Sequence, residues 1–245
     1  MPLDLLIPYR SPDALRQRRM RGGLLACALL LTACSATAPR PEAAVMRDAA
    51  GAAPCCGPIT PAAQRVRDVL DQSAVEHRWL RGQHVDWSTG LADRPHDYKG
   101  PETATHCSAF AAAIGARLHV YMLRPPQHPQ ELLANAQTRW FATPAGRAAG
   151  WMPVSSAAQA QTRANAGQRV VVTFASPDPR RPGHIAIVRP SIKSSAALRT
   201  EGPDITQAGT RNYLRTNAAA GFCMHAGAWP DGVAYFAHDV PSRGQ

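Results

Sequence analysis

Cys107 opens the apolar segment Cys-Ser-Ala-Phe-Ala-Ala-Ala-Ile-Gly, and well downstream His184 stands in Gly-His-Ile-Ala-Ile-Val. This pattern predicts a thiol at a helix start and an imidazole on a buried strand. Free N–H groups and the positive end of the helix dipole favour a thiolate over a thiol at such a position. With His184 as its proton partner, Cys107 would be a cysteine nucleophile.

Taken singly, each residue has a plainer explanation: a cysteine is most often a small buried hydrophobe, and a histidine on a strand a satisfied core residue. The pair carries the functional reading, helped by Gly183, which permits close backbone approach to a ligand. His106 adjoins Cys107 but does not share its helical face. His77, His84, His96, His119, His128, His225 and His238 complete the histidines. None shows the His-x-x-x-His or Cys-x-x-Cys spacing of a zinc site, so they read as surface or loop residues and no metal or cofactor is expected. Neither a Gly-x-Ser-x-Gly elbow nor a phosphate-cradling glycine loop competes with the thiol.

The elements that must position these residues are legible in outline. Val66, Val69 and Leu70 recur at helical spacing behind Thr60-Pro61, predicting a capped helix over 62–72. From 82 to 105 the chain is polar and turn-rich, as for a long loop approaching the site, with Trp87 either a substrate wall or a loop anchor. Cys107, Phe110, Ala111, Ile114 and Leu118 follow the i, i+3, i+4, i+7, i+11 rule, which puts the thiol on the core-facing side of its helix. Residues 130–140 and 155–165 are further helix candidates. Strands are predicted at 169–174 and 185–188, joined by a turn holding Pro177, Pro179 and Pro182, and again at 205–209 and 232–237, with polar loops around Asn212 and Asn217. Helices followed by a run of strands favour an α+β fold with an antiparallel sheet.

These residues resemble the papain-like NlpC/P60 and CHAP superfamily of cysteine amidases and peptidases. Carrying the likeness are Cys107 starting a helix, Gly183-His184-Ile185-Ala186-Ile187-Val188 on a strand, and a polar residue on the strand that follows. It spans roughly residues 80 to 240. The resemblance implies N-terminal helices packed on an antiparallel sheet, a peptidoglycan substrate, and a third catalytic member at Gln207. Asn212 is the competing choice, since its side-chain oxygen could also accept a bond from the imidazole. Either amide would orient the ring without supplying negative charge.

The first residues read as an export signal. Arg10, Arg16, Arg18, Arg19 and Arg21 precede the apolar run 24–31, which is too short to span a bilayer as a mature helix. Leu31-Thr32-Ala33-Cys34 looks like a bacterial lipobox, making Cys34 the expected lipidation site, with Met20 as a second candidate start. Residues 1–34 are thus expected to be a signal peptide, 35–60 a flexible Ala- and Pro-rich linker, and 61–245 one catalytic domain. The expected location is a membrane facing the periplasm or cell envelope, with peptidoglycan and the lipid bilayer as partners.

The formal charge of +10 includes five arginines against Asp4 and Asp13 in that signal, so the remainder holds 22 basic and 15 acidic side chains, a balance of +7. Such a surplus suits an anionic polymer, whereas no aromatic-interleaved basic stripe points to nucleic acid. Of the cysteines beyond Cys34, Cys223 could pair with Cys55 or Cys56 in an oxidising compartment, while a disulfide at Cys107 would silence the nucleophile. Cleavage of an amide bond in peptidoglycan is the expected activity. A non-catalytic wall-binding scaffold and a thiol-based acyltransferase on the same fold are the alternatives.

Overall fold

A computed structural model describes residues 54–242. Cys34, the signal segment and most of the expected linker lie outside the described residues. Among the described residues the fold is α+β, built on an antiparallel sheet.

Helix α1, Pro61–Asp71, starts where the sequence places it: the Thr60 side chain accepts from the Ala63 N–H, and Pro61 occupies the first turn, where no N–H is needed. Its Ala63, Val66 and Leu70 face inward. The chain before it is more ordered than a linker. A short strand β1, Pro54–Cys55, pairs with β5, Lys193–Ser194. The Asn165 amide also donates to the Cys56 and Gly57 carbonyls at 3.3 and 3.1 Å. Residues 54–60, expected in the linker, therefore belong to the domain, because a distant amide satisfies their backbone. Cys55 and Cys56 are joined to one another by a disulfide, which overturns the expectation that either pairs with Cys223.

Residues 82–105 form the expected loop, with only an isolated bridge between Val85 and Ala92. Asp86 organises it by accepting from Ser88 and Thr89 through both backbone and hydroxyl, bonds that lower its carboxyl pKa. Trp87 is an anchor: it packs against the core, and its carbonyl accepts from the buried Trp79 indole at 2.9 Å.

Helix α2, Cys107–Arg117, is buried on every side from Cys107 to Gly115, where the sequence periodicity implied one buried face. Its alanines let neighbouring elements close around it. Helices α3, Leu133–Phe141, and α4, Pro144–Ala148, follow, then strand β2, Met152–Val154, and helix α5, Ala157–Asn165. Strands β3, Arg169–Phe174, and β4, His184–Val188, are fully buried antiparallel neighbours, as their continuous apolar runs predict. Helix α6, Ser195–Glu201, precedes β6, Asp204–Gln207; β7, Tyr213–Asn217, precedes helix α7, Ala218–Phe222, and β8 is Ala234–His238. The sheet runs β2-β8-β3-β4-β6-β7. Strand β7 takes in Asn217, where a loop is expected, while Asn212 stays in the turn before it. It is an edge strand, half-buried and polar, so no apolar alternation announces it.

The sheet is covered on both faces. Val171, Ile185, Ile187 and Phe236 meet α1, α2 and α3 on one side. Val170, Val172, Ala186, Val188 and Ile205 meet α5 and α7 on the other. Period-2 alternation along β4 therefore sends Ile185 toward α2 and His184 toward α7.

A buried arginine ties α2 to the sheet. Arg169, fully inaccessible on β3, donates to the Ala111 and Val120 carbonyls and to the Met122 sulfur, and lies over the Trp151 ring at 5.3 Å. With no carboxylate among these contacts, burial pulls its pKa down to about 9.

Candidate active site

Cys107 is the first residue of α2, and its capping neighbour His106 makes no side-chain bond to the helix start. The first-turn amides are therefore free to turn toward the sulfur. Main-chain amides of Ile185, Ser108 and Cys107 itself favour the thiolate, yet burial outweighs them and pushes the thiol up to about 11. At 4 % exposure Cys107 is a neutral thiol near neutral pH. The thiolate expected from the helix start is thus not the resting form: desolvation exceeds the dipole effect.

His184 begins β4. Its Nε2 lies 3.0 Å from Oε1 of Gln207, at the end of β6. The Gln207 Nε2 donates to the Arg211 carbonyl at 3.2 Å, which fixes the orientation of the amide. Because an amide oxygen only accepts, the His184 proton resides on Nε2 and Nδ1 presents a lone pair. Two further rings close the pocket: His225 stacks on His184 at 4.9 Å with 14° between planes, and Phe222 meets it edge-on at 4.8 Å. Burial pulls His184 down to about 4, helped by repulsion from His225 and opposed by the Gln207 bond.

His184 and Gln207 are thus brought together, and Cys107 reaches the same end of β4 by another route. It shares the packed core with Ile185, the residue next to His184, whose amide favours the thiolate. Among the described residues no hydrogen bond joins the thiol to the imidazole. Two cavities flank the strand start, Gly183 lying between them in sequence. One, of about 430 Å³, is lined by Cys107, Glu102, Glu131, Arg180 and Pro182. The other, of about 340 Å³, is lined by His184, Gln207, Arg211, Tyr213 and His225.

Asn212 is not the third member. Its Nδ2 donates to the carbonyls of Val75 and Arg78 at 2.8 and 2.7 Å, and its Oδ1 accepts from the Gly209 N–H at 2.9 Å. Its side chain is committed to tying two loops together, and the Nε2–H of His184 is already taken by Gln207.

Two histidines read from sequence as surface or loop residues are drawn inward instead, His106 beside Cys107 in the chain and His225 against His184. His106 is 1 % exposed; it hydrogen-bonds the Gln83 carbonyl through Nε2 at 2.9 Å, and burial lowers its pKa. His225, half-buried after α7, stacks on the catalytic candidate. No spacing signal marks His225, since a turn rather than a periodic element presents it. His84 pairs with Asp93 at 2.5 Å within the loop.

Among the described residues no three His, Cys, Asp or Glu side chains converge as metal ligands, and no helix is long and apolar enough to cross a membrane. No protein-family model matches the chain, and no curated protein matches it significantly.

Proposed function

We propose that this protein is a papain-like cysteine hydrolase of the NlpC/P60 or CHAP type that cleaves an amide bond in peptidoglycan, held at a membrane by lipid on Cys34. The observation that carries the reading is the order of groups at the start of β4: a helix-initial thiol lies against the Ile185 amide, and the preceding residue is an imidazole aligned by Gln207.

With both groups neutral at rest, the chemistry runs by general-base attack and needs no preformed ion pair. Because Ile185 and not His184 faces α2, the proton that leaves Sγ as it bonds to the carbonyl carbon travels around the start of β4, by way of water, to Nδ1 of His184, the nitrogen that Gln207 leaves unprotonated. The Cys107 N–H, at an uncapped helix start, is a donor for the oxyanion. The imidazolium then protonates the departing amine and the carbon–nitrogen bond breaks. Water cleaves the resulting thioester, returning the thiol.

Burial of Cys107 is the one observation that favours a different reading, a wall-binding scaffold that retains the fold without turnover. Mass spectrometry of purified muropeptides incubated with the full-length chain, beside Cys107→Ala and His184→Ala, decides between them. New amine and carboxyl ends made only by the intact protein support hydrolysis. Binding without product, unchanged in both variants, supports the scaffold.

A further inference from the structure

A cavity of about 740 Å³ opens where β2 and β8 meet the first turns of α5 and α6, and it shares no lining residue with the cavities beside Cys107 and His184. That volume suits a small molecule. Val154, Leu198, Pro230 and Val233 make much of its wall apolar, Arg199 is its one charged residue, and no carboxylate lines it.

The polar groups that interrupt this wall lack partners. Tyr235 is 8 % exposed, yet among the described residues its hydroxyl makes no hydrogen bond. Buried hydroxyls are ordinarily satisfied, so this one asks for a partner in the cavity that it lines. Burial raises the phenol to about 12, which keeps it a donor. At the start of α5 the Ser156 side chain accepts from the Gln159 N–H and the Ser156 carbonyl from the Ala160 N–H. The N–H groups of Ala157 and Ala158, which also line the cavity, are left over at the positive end of the helix dipole. Arg199 is exposed on α6, and among the described residues its guanidinium makes no ion pair. Trp229 is held by its benzene edge, so close to Gly202 that a Cβ there would lie 2.4 Å from the ring, while its indole N–H makes no hydrogen bond among the described residues.

A single cation with no counter-charge matches a monoanion, and the apolar wall matches an apolar body attached to it. We propose that this cavity is a second ligand site, for a small carboxylic acid with an apolar body: Arg199 and the Tyr235 hydroxyl hold the carboxylate near the start of α5, and Trp229 flanks the body. A planar guanidinium matches a carboxylate in two parallel N–H···O bonds, which a neutral amide cannot reproduce. The site stands apart from the hydrolase reading, since it uses neither Cys107 nor His184.

Calorimetric titration of the full-length chain with 4-phenylbutyrate, 4-phenylbutyramide and 3-phenylpropyl phosphate tests it, with the Trp229 indole N–H followed by NMR and assigned through Trp229→Phe. The carboxylate is expected to shift that resonance and to bind about tenfold more tightly than the amide, the size of one charge-assisted pair, and at least as tightly as the phosphate dianion. Arg199→Gln, a surface change, is expected to reduce the preference for acid over amide to roughly twofold or less. Tyr235→Phe, which keeps the ring and removes the hydroxyl, is expected to weaken carboxylate binding about fivefold. Cys107→Ala is expected to leave all affinities unchanged. Equal binding of acid and amide, a preference that survives Arg199→Gln, tighter binding of the phosphate, an unshifted Trp229 N–H, loss of binding in Cys107→Ala, or no binding of any probe would each overturn the assignment.

Discussion

Gln207 holds the His184 ring through an Oε1···Nε2 contact of 3.0 Å, and a third group, the Arg211 carbonyl, sets its polarity by occupying the other end of the amide. With the proton on Nε2, Nδ1 is a base, and it remains one because burial keeps the ring neutral down to about pH 4.

Gln207→Ala should therefore slow turnover by up to about a hundredfold through loss of ring orientation, with a smaller effect on substrate binding. Gln207→Glu would place a carboxylate beside Nε2 and raise the pKa of His184. The acid limb of the pH–rate profile should then move upward from its position in the unsubstituted chain, whereas a purely structural role for Gln207 would leave that limb in place.

The thiol should be slow to alkylate. Burial pushes Cys107 up to about 11, so iodoacetamide labelling of the resting protein should be weak near neutral pH and rise steeply only as pH approaches that value. Peptide mapping after timed labelling checks this. Fast modification at neutral pH would mean that the helix-start amides overcome desolvation.

Stability should fall in mild acid. The pKa of His184 is lowered from 6.5 unfolded to about 4 folded, so across that window the unfolded chain binds more protons. The stability that this neutral ring contributes is present above pH 6.5 and is lost as pH falls toward 4, on the order of 3 kcal/mol by linkage. His225 and His106 are shifted the same way by burial and add to the slope. Urea unfolding over that range should show a shallower pH dependence in His184→Gln than in the unsubstituted chain.

Two glycines set the spacing of the site by having no Cβ. At Gly183 an added Cβ would lie 2.1 Å from the Phe174 carbonyl oxygen and 2.5 Å from Oδ1 of Asn135, the side chain that also binds Ser176 and Arg181 to close the β3–β4 turn. At Gly221 it would lie 2.6 Å from Oε1 of Gln207. Gly183→Ala should destabilise the fold by about 1–3 kcal/mol, since backbone must shift. Gly221→Ala should cost less stability and more activity, because the group displaced is the end of a side chain. Denaturation midpoints and turnover rates of the two variants separate the cases.

Much of this arrangement is legible in the amino-acid sequence alone. The Thr60 cap, the helix start at Cys107 and the β-rich runs of β3 and β4 each follow from local rules, and Gln207 lies on the expected strand. What escapes is set by distant contacts. The order of residues 54–60 depends on Asn165, the burial of α2 on all sides depends on helices and sheet closing around its alanines, and the exclusion of Asn212 depends on carbonyls more than 130 positions away in the chain. His225 reaches the site from an irregular turn, where no periodicity gives its direction. The charge state of Cys107 is the clearest case: sequence shows the helix end that favours the thiolate, while only packing shows the desolvation that prevails.

The proposed chemistry turns on one covalent bond, between Cys107 and the acyl part of the substrate. Acid-quenched reactions with muropeptides, analysed by intact mass and peptide mapping, measure that bond directly. The expected result is an adduct of the acyl fragment on the peptide containing Cys107, enriched at early times and absent in Cys107→Ala. Product formation that persists in Cys107→Ala, with no adduct in the unsubstituted chain, would contradict a cysteine nucleophile.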